Sequence, residues 1–387
     1  MLEVVVDATP IAPKPSGVGY YVANLIYSLH TLQKTEDFCL GVAYQPGLKK
    51  WLKRDLSFPT ELSHYPNLHL LPLPVKLYNL LIATSYQPAL SYFEKYFGYP
   101  DIIHGTNYSV YPSKKSLKVA NIYDLSFIKY PQYIDNVVKT YNKRIKRCLQ
   151  WTDLILTISE SSKKDIVEYL EVLPEKVHVT PLASRYYPDY LLKHAVNESE
   201  KSIDYNFSVP YLLFVSTLEP RKNITTLIAA FNYLKQKYKI EHHLVLIGQK
   251  GWQYEPIFQA IASSPYQNCI HHLNYLSDEL VALFYSKADV FVYPSYYEGF
   301  GLPVLEAMTL GAPVVTSNTS SLPEVAGDAA ILVDPNDFIS LAEAILNVIS
   351  DRQLRSDLIA KGKARANLYS WERTAKETLQ AYRSLLT

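Results

Sequence analysis

Cysteine is scarce in this chain, and its scarcity limits what can cross-link the fold. The 387 residues include three cysteines, Cys39, Cys148 and Cys269, which lie far apart and form no Cys-x-x-Cys pair. Neither a disulfide framework nor a zinc site built on paired cysteines is therefore expected. A reducing compartment is the default for such a chain, which predicts a cytoplasmic protein.

Long apolar runs and an excess of one charge are also lacking. No apolar run approaches the roughly 20 residues of a membrane-spanning helix. Residues 1–7 carry charges within an early strand and lack the basic start and apolar run of a signal peptide. The formal net charge is +1, so no overall field attracts nucleic acid. We expect a protein that binds no nucleic acid and approaches a membrane only from outside the hydrocarbon.

What the sequence does contain is a regular alternation of short apolar runs and longer stretches with helical spacing. In the first half, apolar runs that predict strands occur at residues 2–8, 38–44, 101–104, 119–123, 154–159 and 176–180. The same rhythm restarts at residue 211. This alternation predicts parallel sheets covered by helices on both faces. The predicted fold class is α/β, with two doubly wound Rossmann-like domains facing a central cleft, where the carboxyl ends of the strands would bind ligands.

Domain boundaries follow from the polar stretch at residues 191–208, which loses this periodicity and is interpreted as a linker. The two domains are accordingly predicted at residues 1–190 and 209–387. The last helix, over residues 371–387, has no evident sheet partner in its own domain. We interpret it as packing back on the first domain.

The strongest motif comes after a predicted strand at residues 289–293. Residues 297–307 read Tyr-Glu-Gly-Phe-Gly-Leu-Pro-Val-Leu-Glu-Ala. The two glycines allow the backbone to approach a ligand closely, and Pro303 suits the first turn of a helix, where its missing N–H costs nothing. The free N–H groups of such a turn and the helix dipole form an anion site. We expect Glu306 in that first turn, within reach of hydroxyls beside the phosphates, and Glu298 at its mouth.

A second motif, Ser-Thr-Leu-Glu-Pro-Arg-Lys-Asn at residues 216–223, ends the first strand of the second half. Arg221 offers a planar fork and Lys222 a compact charge, a combination that suits a diphosphate. The alternative is a solvated helix start with Asn223 as its cap. Cations at a helix start oppose the helix dipole, and an anionic ligand accounts for that unfavourable placement.

A third motif places Gly17 and Gly19 after the first strand, in a turn like a truncated dinucleotide-binding fingerprint. No third glycine follows at the required spacing, and the second strand ends in Gln45-Pro46-Gly47 where a dehydrogenase would have an acidic residue. A dehydrogenase is therefore the least favoured alternative. We interpret the turn as a backbone clamp on phosphate or sugar, with a plain tight turn as the alternative.

Residues 216–223 and 298–306, together with the turn at residues 17–19, resemble glycosyltransferase family 4, whose members have the two-domain GT-B fold and retain the anomeric configuration. The resemblance covers nearly the whole chain, and its most specific element is the spacing of Glu298 and Glu306. Residues 216–223 are similar to the form found in bacterial mannosyl- and rhamnosyltransferases of polysaccharide assembly.

The resemblance implies an enzyme that moves a hexose, with mannose favoured, from a nucleotide-diphosphate sugar such as GDP-mannose to a hydroxyl of a saccharide or lipid-linked acceptor. It implies that the first domain binds the acceptor and the second the donor. Two cations meet the diphosphate and no Asp-x-Asp motif is present, so no metal is expected. The implied catalytic residues are Glu298, Lys222, Arg221 and Asp124. The implied donor-binding residues are Gly17, Gly19, Ser216, Arg221, Lys222, Glu298, Gly299, Phe300, Gly301, Leu302 and Glu306.

One position departs from the family pattern. Members often have a His-Asp pair at the end of a first-domain strand, where this chain has Tyr123 and Asp124. Tyrosine donates a hydrogen bond to a sugar hydroxyl but carries no charge at neutral pH, which indicates an altered sugar preference. Tyr123, Asp124 and His104, which ends another strand, are the acceptor-side candidates. The alternative for His104 is a structural histidine with satisfied hydrogen bonds.

Two other functions fit the same architecture. A nucleotide-sugar epimerase shares the two-domain arrangement, and it would turn over the donor without an acceptor. A non-catalytic nucleotide-sugar binding protein stays open because of the departure at Tyr123, and it would bind the donor without turnover on any acceptor.

Residues 137–151 carry five basic residues and no acidic one beside an apolar stripe. A helix of this kind can lie on the anionic inner face of the plasma membrane; the alternative is a packed helix with a solvated basic face. If the contact exists, the protein should bind anionic vesicles more tightly than neutral ones, and salt should weaken that binding. Co-sedimentation at two salt concentrations measures both effects, and equal binding to the two kinds of vesicle would rule the contact out.

Overall fold

The computed structural model describes residues 1–11, 17–83, 94–133, 139–194, 203 and 205–386. The chain divides into two compact units. Unit 1 consists of Met1–Lys129, Asp135–Leu182 and Trp371–Thr387, and unit 2 of Tyr130–Ile134 and Ala183–Ser370. The main division falls after Leu182, earlier than residue 190, and the C-terminal segment is part of unit 1.

Unit 1 contains a parallel sheet whose strands are nearly continuous in apolar residues. Its strands are β1 (Leu2–Asp7), β2 (Phe38–Tyr44), β3 (Leu68–Leu70), β4 (Ile102–Gly105), β5 (Leu117–Asn121), β6 (Leu154–Thr157) and β7 (Val177–Val179). Their order is β3-β2-β1-β4-β5-β6-β7. Central strands of this kind are buried on both faces, because helices cover a parallel sheet on both sides. Since β1 pairs with both β2 and β4, the carboxyl ends of these three strands lie side by side.

The helices of unit 1 include one that returns from the far end of the chain. They are α1 (Gly17–Leu32), α2 (Leu48–Leu52), α3 (Val75–Ala83), α4 (Ser126–Lys129), α5 (Lys139–Cys148), α6 (Glu160–Leu170) and the C-terminal helix Trp371–Arg383. The apolar stripe of α1 through Leu25 and Leu29 is fully buried, as its spacing predicts. The C-terminal helix packs against α1, where the rings of Tyr21 and Trp371 lie 6.1 Å apart between centroids.

Unit 2 repeats the arrangement. Its strands are β8 (Tyr211–Val215), β9 (His243–Ile247), β10 (Ile270–Leu273), β11 (Val290–Tyr293), β12 (Val314–Ser317) and β13 (Ala330–Val333), in the order β10-β9-β8-β11-β12-β13. Its helices are α7 (Tyr190–Lys193), α8 (Ile224–Tyr238), α9 (Glu255–Ala262), α10 (Asp278–Lys287), α11 (Leu302–Leu310), α12 (Leu322–Ala326), α13 (Phe338–Ser350) and α14 (Arg352–Ala366), so that Trp371–Arg383 is α15. The adjacent strands β8 and β11 bring the two strongest sequence motifs to the same edge of the sheet.

Several elements are not predicted by the sequence pattern, among them two edge strands and one long helix. The edge strands β3 and β10 are short, mostly half-buried and contain histidines, because a strand at the edge of a sheet needs less apolar surface than a central one. Helix α14 is rich in charged residues and buries little beyond Leu358, Gly362 and Ala366. Its apolar face is too narrow to stand out in the sequence.

The basic segment near residue 140 packs more closely into unit 1 than its composition indicates. Residues 137 and 138 lie outside the described part, and α5 begins at Lys139. Arg144 is one of the five basic residues of the predicted solvated face, but in the structure its side chain is buried. Its guanidinium donates to Asn79 Oδ1 and to the Asn107 carbonyl oxygen, both at 3.1 Å. Across the described residues, no helix is both long enough and apolar enough to cross a membrane.

His104 is a structural residue of unit 1. It is fully buried; its Nδ1 lies 2.7 Å from Tyr382 Oη and its Nε2 lies 2.6 Å from Asn121 Oδ1. Burial lowers the pKa of His104 to about 4, although the hydrogen bond to Asn121 acts in the opposite direction, so the ring is neutral at pH 7. Because Asn121 Oδ1 only accepts, Nε2 carries the proton and Nδ1 accepts from the Tyr382 hydroxyl. The expectation that His104 contacts an acceptor is therefore wrong, since neither nitrogen is available.

Replacing Tyr382 with phenylalanine should destabilise unit 1. The change removes the only hydroxyl that donates to His104 Nδ1 among the described residues, leaving a buried acceptor unsatisfied at a cost of about 1–3 kcal/mol. Urea unfolding followed by circular dichroism measures the difference. The control is Tyr27→Phe on α1, whose side chain is exposed; equal, small effects of the two substitutions would contradict the structural role.

Candidate functional site

The turn between β11 and α11 has the form that its glycines and proline predict. Gly301 precedes the helix with φ +112°, a left-handed conformation that favours glycine, and a Cβ there would lie 2.9 Å from Leu322 Cδ2. Pro303 occupies the first turn of α11. Helix α11 therefore begins directly at the carboxyl edge of the sheet, with its free N–H groups at that edge.

Two serines hold the segment before this helix in place. The Ser321 hydroxyl donates to the carbonyl oxygens of Glu298 (2.9 Å) and Phe300 (2.7 Å), and the Glu298 N–H donates to Ser320 Oγ at 2.9 Å. Phe300 is buried and its ring meets Tyr369 edge-on, with centroids 5.7 Å apart. Phe300 thus anchors the turn with its side chain, and only its backbone is suited to contact a ligand.

Glu306 lies further along α11 than predicted. No acidic residue occupies the first turn of the helix, so Glu306 falls in the second. Its carboxylate is buried and accepts from Arg185, at 2.7 Å from Nε to Oε1 and 3.2 Å from Nη2 to Oε2. Arg185 also donates from Nη1 to Asp278 Oδ1 at 2.9 Å. The position of Glu306 is therefore set by a bidentate ion pair within unit 2.

Arg185 is a site residue that the sequence reasoning missed. It is a single arginine in the segment before the predicted linker, with no motif around it, and 121 residues separate it from Glu306. Only the structure reveals its role, because its guanidinium bridges the carboxylates of Glu306 and Asp278.

The turn after β8 presents the two adjacent cations. Pro220–Lys222 form a single 3₁₀ turn, and Asn223 follows in the left-handed region with φ 58°. The Asn223 side chain does not cap α8; its Nδ2 donates to the carbonyl oxygens of Pro294 (3.0 Å) and Pro335 (2.7 Å). The alternative of a solvated helix start capped by Asn223 is therefore wrong. Asn223 instead ties this turn to the segment that follows β11.

A buried charge cluster joins the two turns. Lys222 Nζ lies 2.6 Å from Glu298 Oε1, and Arg221 Nη1 lies 3.1 Å from Glu298 Oε2. Arg221 Nη2 also pairs with Glu219 Oε1 at 2.7 Å. The Tyr293 hydroxyl accepts from Lys222 Nζ at 2.8 Å and donates to Glu298 Oε1 at 3.0 Å. Two cations and two carboxylates thus share the edge of the sheet where β8 and β11 end.

The remaining members of this cluster are hydroxyl groups. Ser295 Oγ donates to Glu298 Oε1 at 2.6 Å, and the nearby Ser216 side chain lowers the pKa of Tyr293, against the larger effect of burial. Gly248 permits the close approach of its loop to Ser216, because a Cβ there would lie 1.9 Å from the Ser216 carbonyl oxygen. The cluster is therefore connected through hydrogen bonds as well as through charge.

Burial and charge act in opposite directions on the pKa values of the cluster. Burial alone would raise the pKa of Glu298, but Arg221, Lys222 and the Ser295 hydroxyl lower it to about 2. Burial, together with the Arg221 charge, lowers the pKa of Lys222, and Glu298 and Glu219 oppose that shift. Burial raises the pKa of Tyr293 well above its ordinary value. At neutral pH the site therefore holds an ionised Glu298 carboxylate beside a neutral phenol.

The candidates in unit 1 lie at strand ends or at a helix start. Gly17 is the exposed first residue of α1 and Gly19 is buried; the preceding residues 12–16 lie outside the described part. The buried Tyr123 hydroxyl donates to the Thr106 carbonyl oxygen at 2.5 Å, so the structure does not offer it to an acceptor as expected. Asp124 is half-buried and accepts from the Ser126 N–H and hydroxyl at the start of α4.

No candidate metal site occurs among the residues that the structure describes. The structure has no cluster of three or more histidine, cysteine or acidic side chains there that could hold a metal ion.

The two parallel sheets and the buried cluster at one sheet edge define a glycosyltransferase of the GT-B fold. The family described as "Glycosyl transferases group 1" matches residues 197–365. O-antigen chain mannosyltransferase B of Escherichia coli is 31% identical over 391 residues, which cover 99% of this chain and all of that protein. The chain therefore belongs to the group 1 glycosyltransferases. This membership favours a transferase over an epimerase or a non-catalytic binding protein.

Solved structures of distant relatives have the same fold. Sucrose-phosphate synthase from Thermosynechococcus elongatus superimposes with a TM-score of 0.72 at 20% identity, covering 100% of this chain and 99% of that one. HepE from Anabaena, solved in complex with UDP, has a TM-score of 0.68 at 17% identity, with 99% and 100% covered. Both confirm the predicted GT-B fold.

The paired state of Glu298 should make stability depend on pH. Its pKa of about 2 lies below the ordinary value of 4.5, so its contribution is present above about pH 4.5 and is lost as the pH falls towards 2. We expect Glu298→Gln to lower the Tm at pH 7, and the Tm gap from the unsubstituted protein to shrink as the pH is lowered from 6 to 3. Calorimetric scans measure this gap.

The control for this experiment is Glu343→Gln, at an exposed position on α13. We expect that substitution to change the Tm little at any pH. A gap for Glu298→Gln that stays constant between pH 6 and pH 3 would contradict the ion-paired state of the carboxylate.

Proposed function

We propose that this glycosyltransferase moves mannose from GDP-mannose to a hydroxyl of a saccharide or lipid-linked acceptor and retains the anomeric configuration. The observation that carries the proposal is the buried cluster of Arg221, Lys222 and Glu298 where β8 and β11 end. The mannose preference is supported by the relative from Escherichia coli, which is by its name a mannosyltransferase. The nucleotide-diphosphate donor is supported by HepE, which was solved with UDP.

Arg221 and Lys222 are the proposed partners of the donor diphosphate. Both lie at the carboxyl edge of the sheet, near the first turn of α11, whose free N–H groups also favour an anion. In the structure both cations are held by Glu298 and Glu219. We propose that the donor takes over these cations, and that the Glu298 carboxylate turns from Lys222 to hydroxyls of the hexose. Because the two side chains supply positive charge, the proposed reaction needs no metal.

The other donor contacts follow from the turn before α11. Gly299, Gly301 and Leu302 are proposed to offer backbone N–H groups to the sugar and the phosphates. Glu306, held from one side by Arg185, is proposed to accept from the ribose hydroxyls with its remaining lone pairs. Ser216 would contact the donor beside Tyr293, and Gly17 and Gly19 are proposed to contact the phosphates.

The chemical step is proposed to occur on one face of the sugar. The bond from C1 to the diphosphate oxygen breaks, negative charge grows on the diphosphate, and the acceptor hydroxyl attacks C1 from the same side. The acceptor proton passes to the departing phosphate oxygen, and Asp124 orients the acceptor. Charges placed in advance at the diphosphate stabilise the transition state more than the ground state, by about 3–4 kcal/mol for one good donor.

Removing either charged partner should stop the transfer. We expect Lys222→Ala and Glu298→Ala each to lower the rate of mannose transfer from GDP-mannose at least ~100-fold. The unsubstituted protein should remain active in EDTA, because the proposed reaction needs no metal. Release of GDP and formation of the mannosylated acceptor are measured together, with a pool of mannosides as acceptors.

The matched control is Lys235→Ala, which removes another buried lysine of unit 2 whose Nζ donates to backbone carbonyl oxygens of Ile240 and Glu241. That variant should retain transfer. GDP-mannose at 100 times its dissociation constant should stabilise the unsubstituted protein by roughly 2.7 kcal/mol in a thermal-shift assay. Near-normal turnover in both site variants, or no stabilisation by any nucleotide sugar, would refute the assignment.

A further inference from the structure

Arg185 lies outside every motif of the sequence, yet it pairs with the carboxylate that is proposed to meet the ribose. It belongs to unit 2 and follows shortly after Leu182, where the chain leaves unit 1. Residues 183–188 around it read Ala-Ser-Arg-Tyr-Tyr-Pro. The proposed function needs Glu306 as a hydrogen-bond acceptor, so the role of Arg185 depends on what the pairing does to that acceptor.

The pairing fixes the plane of the Glu306 carboxylate. The last side-chain torsion of a glutamate has a broad range of angles, so the residue alone does not aim its two oxygens. Arg185 bonds to both at once, at 2.7 Å from Nε to Oε1 and 3.2 Å from Nη2 to Oε2. Two parallel bonds from a planar guanidinium hold the carboxylate in one orientation. A lysine would supply a point charge and leave the plane free to turn.

The two oxygens of Glu306 differ in how much hydrogen-bonding capacity is left. Oε2 accepts from Arg185 Nη2 and also from the Tyr285 hydroxyl at 3.4 Å. Among the described residues, Oε1 accepts only from Arg185 Nε. Each carboxylate oxygen has two lone pairs, so the unused capacity lies chiefly on Oε1. Glu306 is only 3% exposed, and a hydrogen bond to a charged oxygen is stronger in such surroundings than in water.

Arg185 is itself held from its other side. Its Nη1 donates to Asp278 Oδ1 at 2.9 Å, and its guanidinium lies over the Tyr186 ring, 5.3 Å from the centroid. The Tyr186 hydroxyl donates to the Asp278 carbonyl oxygen at 3.2 Å. Asp278 is the first residue of α10. The guanidinium is therefore anchored to a helix, and it can keep Glu306 in place while a ligand binds.

A carboxylate that is held in one orientation discriminates strongly between ligands with and without a hydroxyl group. A ribose hydroxyl that donates to Oε1 satisfies the buried acceptor. A deoxyribose that lacks this hydroxyl leaves the acceptor unpaired, and a site built to bond a hydroxyl rejects such an analogue. A carboxylate that could turn would find another donor and would penalise the missing hydroxyl less.

We propose that Arg185 is a positioning residue that makes nucleotide binding depend on a ribose hydroxyl, because it fixes Glu306 with Oε1 ready to accept from that hydroxyl. The proposal rests on the proposed function, in which Glu306 meets the ribose. It adds that the preference for ribose over deoxyribose is set by a residue that does not itself touch the nucleotide.

The test compares nucleotides that differ by one hydroxyl group. Calorimetry with the full chain measures the dissociation constants of GDP, 2′-deoxy-GDP and 3′-deoxy-GDP. The unsubstituted protein should bind one of the two deoxynucleotides about 10–100-fold more weakly than GDP, as expected for a lost hydrogen bond to a charged group.

Arg185→Lys keeps the positive charge but removes the two parallel bonds. It should weaken the binding of GDP and leave the affinity for that deoxynucleotide nearly unchanged, so that the ratio of the two falls to about threefold or less. Retained binding of the deoxynucleotide also shows that the variant is folded.

A double-substitution cycle separates positioning from other effects. Glu306→Gln should reduce the same ratio, because a neutral amide oxygen accepts more weakly than a carboxylate. Adding Arg185→Lys to it should reduce the ratio no further, since both changes act on one hydrogen bond. The control is Arg355→Lys, which alters another arginine of unit 2 that pairs with Asp289, 2.6 Å away and just before β11 begins. It should leave all three dissociation constants unchanged.

The outcomes separate this proposal from the proposed function. Loss of discrimination in the Arg185 and Glu306 variants alone supports the positioning role. Equal binding of all three nucleotides by the unsubstituted protein, an unchanged ratio in Arg185→Lys, or a further fall in the double variant overturns it. Discrimination that depends on Arg185, in a protein that transfers no mannose from GDP-mannose, supports the role and counts against the proposed function alone. Absence of any GDP binding overturns both.

Discussion

The strand ends of unit 2 depend on one interaction, the pairing of the buried Glu298 carboxylate with two cations. Lys222 Nζ lies 2.6 Å from one of its oxygens and Arg221 Nη1 lies 3.1 Å from the other. Taking charges out of water costs several kcal/mol per ion, and only close partners and hydrogen bonds offset that cost. The turn after β8 and the turn after β11 therefore hold each other in position, because either turn without the other would leave a buried charge unpaired.

The second carboxylate of the motif lies in a different environment. Glu298 precedes the start of α11 and is paired with cations from the neighbouring strand end, whereas Glu306 lies in the second turn and is paired with Arg185. Each carboxylate thus has its own cation, so either one can exchange partners without disturbing the other. The proposed donor has a hexose and a ribose on opposite sides of its diphosphate, and two separate carboxylates suit such a molecule.

Buried polar side chains of unit 1 fall into two kinds. Both nitrogens of His104 have partners inside the fold, which identifies it as structural even though it ends a strand at the edge where ligands are expected. The Gln45 amide nitrogen is nearly as deeply buried but has no partner among the described residues. Position at a strand end is therefore not enough to assign a role. What separates the two residues is whether the fold itself satisfies their hydrogen bonds.

The sequence by itself determined the alternation of strands and helices, the turn at Gly301 and Pro303, and the adjacent cations of residues 221 and 222, because periodicity and turn chemistry are properties of neighbouring residues. It did not determine that Glu306 pairs with Arg185, 121 residues away, or that His104 is internal. Only the tertiary structure decided these. Burial and pairing depend on which surfaces meet after the chain has folded, and no local pattern records the partner of a side chain that comes from a distant segment.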